Sequence, residues 1–189
     1  MTATARDFHT DNRYSLAASE EAFWLAVYRK AFANLQRSEL CTDLPKQRQG
    51  IDRVLYLANG RVLYVDEKKR AREYPDILLE YTSCLERNTP GWIEKDLAID
   101  YLAYGFMQSQ RCYLFPWPML RRAWLHFEAQ WKAKYQPPII AKTQVGFETY
   151  QTISVAVPID VLRRAVSTAS VIDVSTAQRT PTQRQEAQP

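Results

Sequence analysis

Between Ser19 and Arg37 the apolar positions recur at helical spacing. Two i,i+4 rows, Phe23-Val27-Ala31-Leu35 and Trp24-Tyr28-Phe32, make one broad apolar stripe, which predicts a helix over residues 19–37. Ser19 stands where a cap is needed, and Glu20 and Glu21 fall in the first turn, where the helix dipole favours carboxylates. At Ile51 the period changes. The runs IDRVLYL and RVLYVDEK are rich in β-formers and flank Ala58-Asn59-Gly60, and Asn-Gly is a strong hairpin signal. Asp76 to Tyr81 is apolar on both faces, which predicts a central strand.

Further along, residues 93–107 fit helix or strand, and Arg111 to Phe115 reads as a strand stopped by Pro116. Leu120, Ala123, Trp124, Phe127 and Trp131 share one helical stripe that ends at Pro137-Pro138. Thr149 to Val157 alternates like a half-buried strand, and a short helix follows over Ile159 to Val166. The polar stretches at either end predict a flexible N-terminus (residues 1–14) and a disordered tail (167–189) around a single domain (15–166). This order predicts an α/β (α+β) fold: a mixed central sheet with a β-hairpin core, flanked by helices.

Composition narrows the chemistry. The five glycines have no P-loop or dinucleotide spacing, which excludes a Gly-rich phosphate loop. Cys41, Cys84 and Cys112 lie far apart with no CxxC, and His9 and His126 are too few for a His-rich metal site. Catalysis therefore has to rest on carboxylates, lysine and arginine. The net charge of +4 is compatible with a nucleic-acid partner without arguing for one. No apolar run reaches the about 18 residues that cross a bilayer, so no membrane partner is expected. Free thiols and an N-terminus without an apolar secretion segment predict a cytoplasmic protein.

Carboxylates and ammonium groups gather at one place. Strand one of the hairpin begins with Asp52 and strand two ends in Asp66-Glu67-Lys68-Lys69-Arg70, so the hairpin's open end brings them together. Clustered carboxylates at a strand end are oxygen ligands for a hard cation such as Mg²⁺ (or Mn²⁺), and an adjacent ammonium offsets charge that builds up on phosphorus. Hairpin register decides the partners. A two- or four-residue loop sets Asp52 against Glu67 and adds Lys69, whereas a three-residue loop with a Gly60 bulge sets it against Asp66 and adds Lys68. Glu80, among Leu78, Leu79 and Tyr81, is a costly carboxylate to bury and is a candidate further metal ligand or a structural ion pair.

Asp52 followed about a dozen residues later by Asp66-x-Lys68 (or Glu67-x-Lys69) resembles the motif of the PD-(D/E)XK nuclease superfamily. The preceding helix matches that family's order. The strings GIDRVLYLANGRVLYVDEKKR, DILLEY and GWIEKDLAIDYLAY are similar to uncharacterised phage- and plasmid-borne members, and the likeness covers roughly residues 16–165. The family's proline before its first Asp is replaced here by Ile51. The resemblance implies a restriction-endonuclease-like fold and a metal-dependent endonuclease. It implies catalytic roles for Asp52, Asp66, Glu67, Lys68 and Lys69, with metal held by Asp52, Asp66, Glu67 and Glu80, and it favours the Asp66–Lys68 alternative. Nucleic acid, DNA ahead of RNA, would be contacted by Arg70, Arg72 and Trp92. A homodimer or a protein partner stays open. The rival readings are a nuclease fold kept as a nucleic-acid adaptor without turnover, and an accessory factor of a mobile element that inhibits a host complex through residues 92–135.

Overall fold

The computed structural model describes residues 8–145 and 148–175. The first helix, α1 (Phe8–Ala31), is followed by β1 (Leu35–Leu40), the short α2 (Leu44–Arg48), β2 (Arg53–Leu57) and β3 (Val62–Arg70). Next come β4 (Asp76–Cys84), β5 (Thr89–Pro90), a 3-10 turn (Trp92–Glu94), β6 (Tyr101–Phe106) and β7 (Arg111–Pro116). The chain continues through α3 (Trp117–Lys134), β8 (Ile139–Val145), β9 (Glu148–Pro158), α4 (Ile159–Ala165) and β10 (Ser170–Asp173).

The strands form two sheets rather than one. The larger runs β1-β2-β3-β6-β7-β10, antiparallel throughout except for the parallel β3–β6 pair, so it is mixed as expected. The smaller is antiparallel, in the order β5-β4-β9-β8. The large sheet is covered on both faces. On one, Phe23, Trp24, Val27 and Tyr28 of α1 pack on Leu55, Leu57, Leu63, Val65 and Leu114. On the other, Val54, Leu102, Tyr104, Phe106 and Phe115 belong to a core shared with Ile77 and Leu79 of β4, Val155 and Val157 of β9, and Trp124 of α3. Among the described residues no helix is long and apolar enough to cross a membrane.

Several sequence expectations change here. The first helix starts earlier than residue 19 and stops at Ala31. Leu35 continues the apolar row, but the chain turns at Phe32–Leu35 and the Asn34 carbonyl accepts the Ala58 amide, so Leu35–Leu40 pairs with β2 as an edge strand. Asp76 to Tyr81 is an interior strand, as its two apolar faces implied, but of the second sheet. The expected disordered tail from residue 167 is corrected for Ser170–Asp173, which pairs with β7 and buries Ile172 and Val174 against α1's side of the sheet. Residues 176–189 of that tail and residues 1–7 lie outside the described part.

Candidate active site at the open end of the β2–β3 hairpin

The turn sets the register. Ala58-Asn59-Gly60 is a three-residue loop closed by the Leu57 N–H to the Arg61 carbonyl at 2.9 Å and the Gly60 N–H to the Leu57 carbonyl at 3.0 Å. Gly60 takes φ +81°, the left-handed conformation that glycine adopts without steric cost. Counting from this loop, the ladder ends with Arg53 opposite Val65, and Asp52 is one step beyond. Its backbone N–H donates to Val65 O at 2.9 Å, its Oδ2 accepts the Glu67 backbone N–H at 2.9 Å, and its carboxyl meets that of Asp66. Of the two registers open to the sequence, this is the one that joins Asp52 to Asp66.

Asp66 is 1% exposed. Burial, reinforced by the Asp52 carboxyl and opposed by the Lys68 ammonium, pushes its carboxyl up to about 7. Lys68 Nζ forms an ion pair with Asp66 Oδ1 while a third of its side chain stays exposed. Glu80 approaches from β4. Burial raises its carboxyl, while the ammonium groups of Lys68 and Lys95, the Trp92 amide and the Ser83 side chain work the other way. Gly91 makes that placement possible: a Cβ on it would lie 2.1 Å from the Glu80 carbonyl oxygen, so only glycine lets the chain cross β4 here.

Glu67 and Lys69 point to the other face, toward α1, as strand alternation requires. Glu67 accepts from Tyr28 Oη at 2.7 Å and from Arg53 Nε. The Arg53 guanidinium, 1% exposed, also grips both Glu21 oxygens (2.9 and 2.7 Å) and Ser38 Oγ (3.1 Å). Burial opposes its charge, but Glu21 and Glu67 outweigh it and hold the guanidinium protonated. Lys69 pairs with Glu20. Glu20 and Glu21 therefore reach the hairpin, on the face behind the Asp66–Lys68 pair. Between α1 and this end of the hairpin opens a cleft of about 420 Å³ lined by Glu20, Cys41, Gln47, Asp52, Glu67 and Lys69.

Three expected contacts fall differently. Glu67 is held by Arg53 and Tyr28 and does not join Asp66 around a common point, because successive strand residues face opposite ways. Arg70 is engaged by Asp76 at 2.8 Å and stacks its guanidinium 3.5 Å from the centre of the Tyr74 ring. Trp92 is buried, its ring 6.4 Å from that of Trp117, which corrects its reading as an exposed stacking surface for bases. Arg72 is exposed just past β3. Sequence reasoning passed over Arg53, Tyr28 and Lys95, and it assigned Glu20 and Glu21 to the helix dipole rather than to the hairpin they reach. The signal for Arg53 was present: with Leu55 and Leu57 it shares the face that α1 covers, where a charge demands partners.

Among the described residues, no three or more His, Cys, Asp or Glu side chains are grouped as they would be around a metal ion. The donors that meet are two, Asp52 and Asp66. Two carboxylates suit Mg²⁺, which keeps several waters and binds through one or two carboxylates plus substrate phosphate. The buried Asp66 carboxyl, pushed up to about 7 beside Asp52, is short of positive charge, and a divalent cation would supply it. No protein-family model, curated protein or solved structure matches this chain.

Proposed function

We propose that the protein is a Mg²⁺-dependent nuclease that hydrolyses phosphodiester bonds of nucleic acid, DNA ahead of RNA, at the open end of the β2–β3 hairpin. The observation that carries this reading is the buried Asp66 carboxyl set against Asp52 with the half-exposed Lys68 ammonium on the same group. The resemblance to PD-(D/E)XK nucleases agrees with it, since a helix, an antiparallel hairpin, Asp52 and Asp66-x-Lys68 follow one another as that motif requires.

In this mechanism Asp52 and Asp66 would hold the cation, and Asp52 is oriented by the Glu67 amide on its Oδ2. The bound cation would lower the pKa of the attacking water and offset charge on the phosphoryl oxygens. Lys68, paired with Asp66 and a third exposed, would donate hydrogen bonds to the attacking water or to a phosphoryl oxygen. Glu80 and Lys95 border the same face, where the Glu80 carboxyl lies within electrostatic reach of Lys68 and Lys95 meets the phosphate chain. Arg72, exposed beyond the strand, adds a phosphate contact that weakens with salt.

The test is cleavage of supercoiled plasmid, single-stranded DNA and RNA with Mg²⁺ or Mn²⁺, against EDTA, Asp66→Asn and Lys68→Ala. Losing one preorganised donor should cost about 100- to 1,000-fold in rate. Wild-type protein that is inert on all three substrates, with either metal, overturns the enzymatic reading. The two-carboxylate inventory and the occupied Lys68 favour one alternative, a nuclease fold that binds nucleic acid without turnover. Salt-sensitive binding that is indifferent to Asp52→Ala would support that alternative.

A further inference from the structure

We infer that Arg53 and Glu67 are positioning residues: their ion pair behind the hairpin sets where the Asp52 carboxylate stands relative to Asp66. The inference rests on the proposed role of Asp52 and Asp66. The four residues form two adjacent pairs. Asp52 precedes Arg53 and Asp66 precedes Glu67, so side-chain alternation sends the aspartates to one face and the ion pair to the other. A slip or spread between β2 and β3 that moved one pair would move both.

Contacts to four further residues make this pair a latch. The Glu67 backbone N–H is the donor on Asp52 Oδ2 at 2.9 Å, so the position of the Glu67 main chain is transmitted to a proposed ligand by one hydrogen bond. The Glu67 carboxylate is held by Tyr28 Oη at 2.7 Å and by Arg53 Nε, which fixes that main chain against α1. Arg53 spends its remaining donors on Glu21 of α1 and Ser38 of β1, so one guanidinium joins α1, β1, β2 and β3. The planar fork is what permits this, because lysine has neither the reach in two directions nor the bidentate geometry. A purely stabilising role would be met as well by apolar residues, like Leu55 and Val65 on the same face. The ionic version adds direction. Ligand-orienting contacts of this kind are how metal sites hold their first ligands.

The experiment measures amide hydrogen exchange by NMR alongside Mn²⁺ binding by electron paramagnetic resonance, on the full chain. Three variants are compared: Arg53→Lys, Tyr28→Phe and Glu67→Gln, which keeps an acceptor for both donors. Arg53→Lys should accelerate exchange of the Glu67 amide at least 10-fold more than that of the Leu55 and Leu63 amides, and weaken Mn²⁺ binding at least 5-fold. Tyr28→Phe, which removes one hydrogen bond and no packing, should show the same selectivity at about 3-fold, and carries the test if Arg53→Lys does not fold. Glu67→Gln should retain most of the wild-type pattern. Equal acceleration of all three amides in both Arg53→Lys and Tyr28→Phe, or no change at Glu67, overturns the inference. If wild type binds no Mn²⁺ while the Glu67 amide still responds selectively, the latch stands and the cation reading falls.

Discussion

Asp66 makes stability depend on pH in an unusual direction. Its folded carboxyl is raised from 3.8 to about 7, chiefly by burial. A raised acid binds its proton more tightly in the folded chain, so its contribution favours the fold below pH 3.8 and is lost as pH climbs toward 7. Each pH unit in that window is worth about 1.4 kcal/mol for one group, so the protein without metal should lose about 2.5 kcal/mol between pH 5 and pH 8. Glu67 and Glu80 are also raised by burial and add to the trend, so the wild-type slope alone does not isolate Asp66. The assay is urea unfolding at pH 5 and pH 8, at constant ionic strength, for wild type and Asp66→Asn. The wild-type loss should exceed that of the variant by about 2.5 kcal/mol, and Mg²⁺ at pH 8 should restore much of it in wild type only. A variant that falls in parallel with wild type would refute the reasoning, because the cost would then belong to other groups.

Gly91→Ala should destabilise by about 2 kcal/mol or more, since the new methyl would sit 2.1 Å from the Glu80 carbonyl and β4 must shift to admit it; thermal unfolding checks this. Trp92→Ala should cost about 3 kcal/mol of stability from the emptied space beside Trp117, measured in urea, with nucleic-acid affinity per folded molecule unchanged. Arg53→Met should cost about 3–5 kcal/mol, because Glu67 and Glu21 lose their buried partner, and adding Glu67→Leu should recover part of that loss.

The parts of the molecule legible in the sequence are those written in side-chain periodicity. The stripes of α1 and α3 and the alternation of β9 are readable because one face of each packs on a core and the other does not. β1 and β10 carry no such signal. Leu35-Gln36-Arg37-Ser38-Glu39-Leu40 is a half-exposed edge strand that hydropathy cannot separate from a polar helix end, and it is fixed by main-chain bonds to β2. The division into two sheets was equally hidden. Asp76 to Tyr81 announced that both its faces are covered, but not by which partners, since strand pairing across more than 70 residues, as between β4 and β9, leaves no local mark.

At the candidate site the residue types were readable and their directions were not. Asp52, Asp66, Glu67, Lys68 and Lys69 were all singled out, yet their sorting into two faces hangs on the length of one loop. Had the Ala58-Asn59-Gly60 turn held one residue fewer, Glu67 and Lys69 would lie beside Asp52, and Asp66 would face α1. Arg53 reveals the same choice from the other side. In the observed register Val65 stands opposite it and it finds Glu67 and Glu21 inside the α1 interface; in the slipped one Asp66 would stand opposite it on that face, so the arginine would find a carboxylate in either register. The three-residue turn thus selects the register, and by selecting it puts two carboxylates and one lysine on the open face. Arg53 then locks what the turn has chosen, since it ties Glu67 of β3 to Glu21 of α1 and Ser38 of β1.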